Sequence, residues 1–172
     1  MARIQPLSGS NEDPLKQRAD TLVSAAQINA VGSFTSLRDK FQFLSNVKLE
    51  DWDFFVTVAT VFMGATRLNN LRMDEAREDK LMEIVAGRLN EWSKDGMRGF
   101  EDCKRLFESE FDRLIQAGRD SRFVASDSVG KWIVWNIMGR APESDDEYLL
   151  VRGIGAIVTH AVFDWWEHEI QR

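Results

Sequence analysis

Hydrophobic residues recur at spacings of three and four along most of this chain, which is the period of an amphipathic helix. The first such stripe follows Asp13 and Pro14, a capping residue and a proline suited to the first helical turn. It predicts a helix from about Pro14 to Ala30, with a break or kink at Gly32 and Ser33. A second, shorter stripe follows the break at Phe34, Leu37, Phe41 and Leu44.

Two stretches, Phe54 to Thr66 and Gly153 to Phe163, lack charged side chains in a chain where 29% of residues are charged. We expect each to form the middle of a helix that more charged helices surround. The second of these helices is predicted to begin at a capping box, Ser144 to Glu147, and to extend towards Ile170. Its glycines, Gly153 and Gly155, predict either a close neighbour or a bend, because glycine weakens a helix interior.

Two amphipathic stripes separated by the polar segment 94–99 predict an antiparallel helical hairpin over about 74–118, which we expect to form the outer wall of the domain. Their apolar positions are Leu81, Val85, Leu89 and Trp92 in the first helix and Phe100, Cys103, Phe107, Phe111 and Leu114 in the second. A short helix capped by Ser126 or Asp127 is predicted next, and it ends at Gly139 before Pro142.

The pattern contains neither strand pairs joined by hairpin turns nor internal repeats. It therefore predicts an all-α fold, a single-domain helical bundle of six or seven helices with two central apolar helices. Residues 14–172 form this domain in the prediction, and residues 1–13, with their proline, glycine and serine, form a mobile N-terminal tail.

Charge, length and cysteine content narrow the classes of partner. The net charge of −6 makes nucleic acid an unfavourable partner, since the chain carries no basic run to override it. Both apolar stretches are shorter than the roughly 20 residues that a membrane-crossing helix needs, so we predict no membrane insertion. With Cys103 as its single cysteine, the chain cannot form an internal disulfide, and a cytoplasmic location is the prediction.

Candidate metal ligands lie in the last helix. His160, Asp164 and His168 follow one another at intervals of four residues, so they share one side of the helix. With an acid such as Asp53 or Glu110 from a second helix, they could hold a divalent metal. The competing interpretation is a solvent-facing polar edge in which His160 bonds to Asp164. No other cofactor is predicted.

Six tryptophans are the least expected feature of the composition. Trp132 and Trp165 lie on apolar stripes and are predicted core residues. Trp135 and Trp166 point away from those stripes, which suggests an interaction surface, because tryptophan is frequent at binding hot spots.

The sequence carries no complete catalytic motif. Our leading prediction is a non-enzymatic, cytoplasmic helical protein-interaction module that self-associates or docks a protein partner through Trp135 and Trp166. The first alternative is a metal-binding protein or metal-dependent enzyme that uses His160, Asp164 and His168. The second alternative is a binding protein for a small apolar ligand at the tryptophan-rich end.

Overall fold

The computed structural model describes residues 13–71 and 73–168. Within these residues the chain is all-α, as predicted, with one short 3-10 helix at Gln42–Leu44 and no strand. Residues 1–12 of the predicted N-terminal tail, and Ile170, lie outside the described residues, while Asp13 caps the first helix. The α-helices are α1 (Pro14–Arg38), α2 (Leu49–Asn69), α3 (Glu75–Trp92), α4 (Gly96–Gln116), α5 (Ser121–Met138) and α6 (Asp145–His168).

Helix α2 is the centre of the bundle, as its charge-free sequence predicted, and it contacts each of the other five helices. Its side chains are buried on nearly every side, and those of Trp52, Val56, Val58, Val61 and Leu68 are fully covered. None of the helices in the described part of the chain combines the length and the apolar content that a bilayer crossing requires.

Helix α1 continues through Gly32 and Ser33 to Arg38, so the predicted break is wrong. The later residues Phe34 and Leu37 are buried on the same side as the earlier stripe. Burying two such side chains stabilises the helix by more than the roughly 1 kcal/mol that an internal glycine costs. In addition, the indole Nε1 of Trp52 donates to the Ala30 carbonyl at 2.8 Å, which fixes this turn against α2.

Helix α5 begins at Ser121, more than one turn before the predicted cap at Ser126 or Asp127. Asp120 is the cap, and its Oδ1 accepts a hydrogen bond from the Arg122 amide at 3.0 Å. Asp127 instead lies inside α5, nearly two turns from its start, and its carboxylate binds Arg119 at 2.7 Å. The predicted end is confirmed, since Gly139 takes the left-handed conformation with φ of 69°.

Helices α5 and α6 pack with their backbones in close contact. A Cβ added to Gly130 would overlap the carbonyl oxygen of Val151, and one added to Gly155 would overlap that of Ser126. The prediction of a close neighbour is therefore confirmed at Gly155. Gly153 has open space around it and takes no part in the contact.

Helices α3 and α4 follow each other as predicted, but they contact each other only sparsely. Helix α3 packs mainly on α1, where Arg88 pairs with Asp20 at 2.7 Å, while α4 packs on α5 and α2. The two helices of the predicted hairpin thus pack mainly on other helices of the bundle rather than on each other.

Candidate functional site

An apolar groove of about 430 Å³ lies between α2, α4, α5 and α6. We call it the four-helix groove. Its volume falls within the range of roughly 300–1,000 Å³ that is typical of small-molecule sites. Its lining includes Met63, Arg67, Phe107, Phe111, Val162 and Phe163.

Aromatic side chains build a firm wall on one side of the four-helix groove. The ring of Phe107 lies 5.5 Å from that of Phe111 and 5.0 Å from the buried ring of Phe62. Such tilted and edge-on pairs are the favourable arrangements for aromatic rings. On the opposite side, Phe163 of α6 remains 44% exposed. The groove therefore presents apolar surface to the solvent on a preformed frame.

One guanidinium group stands among these apolar side chains. The Cζ atom of Arg67 lies 4.7 Å from the centre of the Phe163 ring and 4.5 Å from that of the Trp166 ring. Its Nε atom is buried and donates no hydrogen bond, and within the described residues no carboxylate lies within 4.0 Å of the group. Burial lowers the pKa of Arg67, while the charge of Glu167 opposes that shift and the charge of Arg18 adds to it. An arginine nevertheless stays protonated in proteins.

A second arginine approaches the same indole ring. Arg18 of α1 is only 8% exposed, and its Cζ atom lies 4.7 Å from the centre of the Trp166 ring. Its Nε atom is also buried and has no hydrogen-bond partner within residues 13–71 and 73–168. We call Arg18, Arg67 and Trp166 the arginine cluster. It joins the four-helix groove through Arg67, which belongs to both.

The structure places the two predicted interaction tryptophans in different surroundings. Trp166 is 9% exposed, and the ring of Trp165 lies edge-on at 5.8 Å. Trp135 is 41% exposed and leaves part of its indole open to solvent. An interaction role for either residue stays a prediction. The predicted core positions of Trp132 and Trp165 are confirmed, since both are buried.

The predicted metal ligands are only partly brought together. His160 is exposed, and its Nε2 lies 3.4 Å from Oδ2 of Asp164. The ring Nδ1 of His168 contacts the backbone oxygen of Asp164 at 2.8 Å. Across residues 13–71 and 73–168, no three His, Cys, Asp or Glu side chains converge as metal ligands. A metal site at this position stays a prediction, with two side chains in place of the four ligands usual for zinc.

The two acids considered as additional metal ligands are engaged elsewhere. The Asp53 carboxylate accepts from the Thr57 hydroxyl at 3.0 Å. Glu110 binds Lys131 at 2.7 Å and Arg113. Burial alone would raise the pKa of Glu110, but hydrogen bonds from Arg113 and Lys131 hold it below its ordinary value. The small cavity beside this cluster, about 160 Å³, is lined by paired charges that tie α4 to α5.

The single cysteine is part of the core. Cys103 is fully buried on the apolar side of α4. Burial raises the pKa of its thiol well above the ordinary value, and the charge of Asp102 adds to the effect. A thiol that stays protonated is a poor nucleophile, so Cys103 acts as a small apolar side chain here.

Comparison with known proteins gives no information on function. No family model matches the chain, and no curated protein or solved structure matches it significantly. The arginine cluster therefore has to be interpreted from its own contacts.

The sequence analysis did not predict a role for Arg18 or Arg67, although the position of each relative to apolar residues indicated one. Arg18 lies three residues after Leu15 and four before Leu22, which places it on the apolar stripe of α1. Arg67 follows directly on the charge-free stretch of α2. A charge at an apolar position of a buried helix indicates either a hidden partner or a site.

Proposed function

We propose that this chain is a non-enzymatic binding protein that holds a small apolar ligand in the four-helix groove. The observation that supports this proposal most directly is the lining of the groove, in which Met63, Phe107, Phe111 and Val162 meet from three helices. Removing apolar ligand surface from water at such a lining gives roughly 25 cal/mol for each Å² buried. Apart from Arg67, the polar residues of the lining are the uncharged Thr66, Asn70 and Thr159, and the absence of an acid or a histidine from the described lining favours binding over catalysis.

The dimensions of the groove favour a small molecule over a protein partner. A stable protein interface buries about 800 Å² on each partner, spread over 20–30 residues. The four-helix groove is instead a short concave site of about 430 Å³. Concave apolar sites between the helices of a bundle are common locations for ligands and cofactors.

A neutral fluorescent probe tests the proposal. N-phenyl-1-naphthylamine brightens in apolar surroundings, and we expect saturable binding of one probe per chain. Ala125 lines the groove, so Ala125→Trp should fill it and weaken binding by about tenfold or more. The matched control is Ala76→Trp, the same substitution at an exposed position of α3, which should leave affinity unchanged. Absence of saturable binding, or equal loss in both variants, would reject the proposal.

A protein-interaction module is the second candidate, and the exposed indole of Trp135 favours it. A tryptophan that is 41% exposed offers a large rigid contact surface for a second copy of the chain or another protein. Sedimentation velocity over a wide range of protein concentrations should then reveal a dimer that Trp135→Gln weakens. A monomer at every concentration would argue against self-association.

A cytoplasmic location belongs to the same proposal. It is supported by the buried, unpaired thiol of Cys103, which suits a reducing compartment. The net charge of −6 likewise supports a partner other than nucleic acid.

A further inference from the structure

We propose that the ligand of the four-helix groove is an amphiphilic carboxylate, whose acid group binds Arg67 while its aliphatic chain occupies the groove. This inference rests on the proposed function, because it specifies the chemistry of the ligand at that same site. The arginine cluster carries the argument.

The positive charges of the arginine cluster have no paired carboxylate among the described residues. A buried ion is costly unless a counter-charge or hydrogen bonds compensate it. The chain has more acids than bases, 28 against 22, and the loop arginines Arg119 and Arg140 bind carboxylates of the helices that follow them, Asp127 of α5 and Glu147 of α6. Among the described residues, the buried Nε atoms of Arg18 and Arg67 instead have no hydrogen-bond partner, although the Arg18 side chain is buried and that of Arg67 is half-buried. Glu167 acts on Arg67 through its charge alone, without an ion pair within 4.0 Å, so a bound anion would supply a counter-charge in direct contact.

The guanidinium group of Arg67 lies over two aromatic rings, those of Phe163 and Trp166. A guanidinium that lies over aromatic rings is held by its face, while its N–H groups, which lie in the plane, can still donate to an acceptor at the edge. A carboxylate fits this edge, because its two oxygens can accept a pair of parallel N–H bonds. The second positive charge, on Arg18 at the same indole, strengthens the attraction for an anion.

Apolar side chains surround the position of Arg67 in the groove. Arg67 stands at the four-helix groove together with Phe107, Phe111 and Val162. An acid without an apolar chain would leave this lining in contact with water. An apolar molecule without an acid would leave the guanidinium uncompensated. A molecule that combines the two satisfies both parts of the site.

The experiment compares decanoate with decanol, which share a chain and differ in the head group. The affinity of each is measured by displacement of the neutral probe, with decanoate kept below the concentration at which it forms micelles and decanol below its solubility limit in water. Because a hydrogen bond to a charged group contributes about 1.5–3 kcal/mol, we expect the wild-type protein to prefer decanoate by roughly tenfold or more. Arg67→Met should remove that preference while decanol binds within about threefold of its wild-type affinity.

Two control variants accompany the comparison. Arg38 lies over the Phe34 ring at 5.4 Å, away from the groove, so Arg38→Met removes a stacked arginine of the same kind and should leave the preference intact. Arg67→Lys keeps the positive charge but loses the planar fork, and it should retain part of the preference. Because Arg67→Lys preserves the charge, it also keeps the test decisive if Arg67→Met fails to fold.

The outcomes separate this inference from the proposed function. Equal affinity for decanoate and decanol in the wild type would overturn the acid head group and leave an apolar ligand standing. Failure of decanoate, decanol and the probe to bind would reject the groove itself. A last variant, Glu169→Gln, removes the carboxylate of the residue that follows the described range. If decanoate were preferred only in Glu169→Gln, the cluster would be neutralised by a carboxylate of this chain, and the inference would be wrong.

Discussion

Trp166 shows how a single side chain connects the core to the candidate site. Its ring lies against Trp165 within the core and also contacts the guanidinium groups of Arg18 and Arg67. Each cation–π contact contributes roughly 0.5–2 kcal/mol, which offsets part of the cost of withdrawing an arginine from water. The ring thus keeps two positive charges close together, an arrangement that their mutual repulsion would otherwise oppose.

Glu147 is the residue whose ionisation matters most for the start of α6. Its carboxylate accepts from Arg140 and from the backbone amides of Glu143 and Ser144, at 2.5, 2.6 and 3.1 Å respectively. These hydrogen bonds lower the pKa of Glu147 to about 2, and the bond from Arg140 has the largest effect. The structure thus confirms the capping box predicted from Ser144 and Glu147, and it adds Arg140, which the sequence pattern did not indicate.

The lowered pKa leads to a stability prediction with a defined sign. The folded state favours the ionised carboxylate, so the stabilisation is complete above the unfolded pKa of about 4.3 and disappears as the pH falls towards about 2. Glu147→Gln should therefore lower the melting temperature at neutral pH, with a difference from wild type that shrinks over this range and vanishes below it. Thermal unfolding followed by circular dichroism measures this difference.

The neighbouring acid provides the control for this prediction. Glu143 is exposed and lies 3.9 Å from Arg140, so its pair with that arginine should contribute little. Glu143→Gln should leave the melting temperature nearly unchanged at every pH. A difference between Glu147→Gln and wild type that persists undiminished at the lowest pH would show that shape rather than charge is responsible.

At the scale of elements, the contact between α5 and α6 depends on two glycines. Gly130→Ala and Gly155→Ala would each place a methyl group on a carbonyl oxygen of the facing helix. The helices would have to separate, and we expect a loss of roughly 3 kcal/mol in the free energy of unfolding. Urea unfolding followed by tryptophan fluorescence and circular dichroism measures this loss.

Helix α6 contains a control position for the Gly155→Ala substitution. Gly153 is helical and has nothing within 4 Å of an added Cβ, so Gly153→Ala should stabilise the protein by roughly 0.5–1 kcal/mol. Equal effects of Gly153→Ala and Gly155→Ala would show that helix propensity dominates and that the backbones are free to separate.

The elements also show what sequence patterns reveal and what they omit. The sequence pattern predicted α2 and α6 because the apolar residues of both helices and the capping box of α6 are local signals. It failed at Gly32, since the burial of Phe34 against α2 is a tertiary effect that a local glycine signal does not include. It likewise predicted apolar stripes on α3 and α4 without indicating that the two helices pack on different neighbours.

The candidate site was less predictable than the fold. Its lining comes from α2, α4, α5 and α6, so no segment of the sequence contains more than part of it. The predicted apolar-ligand site at the tryptophan-rich end stays a prediction: Trp166 contacts Arg67, which lines the groove, but Trp166 is not part of the lining itself. The convergence of Arg18 on that ring required the packing of α1 against α6, which periodicity does not specify.

At the scale of the whole molecule, α2 and α3 should differ in local stability. Helix α2 buries residues on all sides and contacts every other helix, whereas α3 buries only Leu81, Val85 and Leu89. A helix with so few buried side chains can detach while the remaining bundle stays folded. We therefore expect the amides of α2 to exchange only through global unfolding and those of α3 through a smaller, local opening.

Two valine substitutions distinguish this behaviour by hydrogen exchange. Val58 of α2 packs towards Gly99 of α4, so Val58→Ala should weaken the global structure and leave the local opening of α3 unchanged. The α2 amides should then exchange about 30-fold faster, which corresponds to roughly 2 kcal/mol, while the α3 amides keep their rates. Val85→Ala should accelerate both helices, because both the local and the global opening break the contacts of Val85. If Val58→Ala accelerated α3 as strongly as α2, then α3 would open only with the whole bundle, and the molecule would be a single cooperative unit.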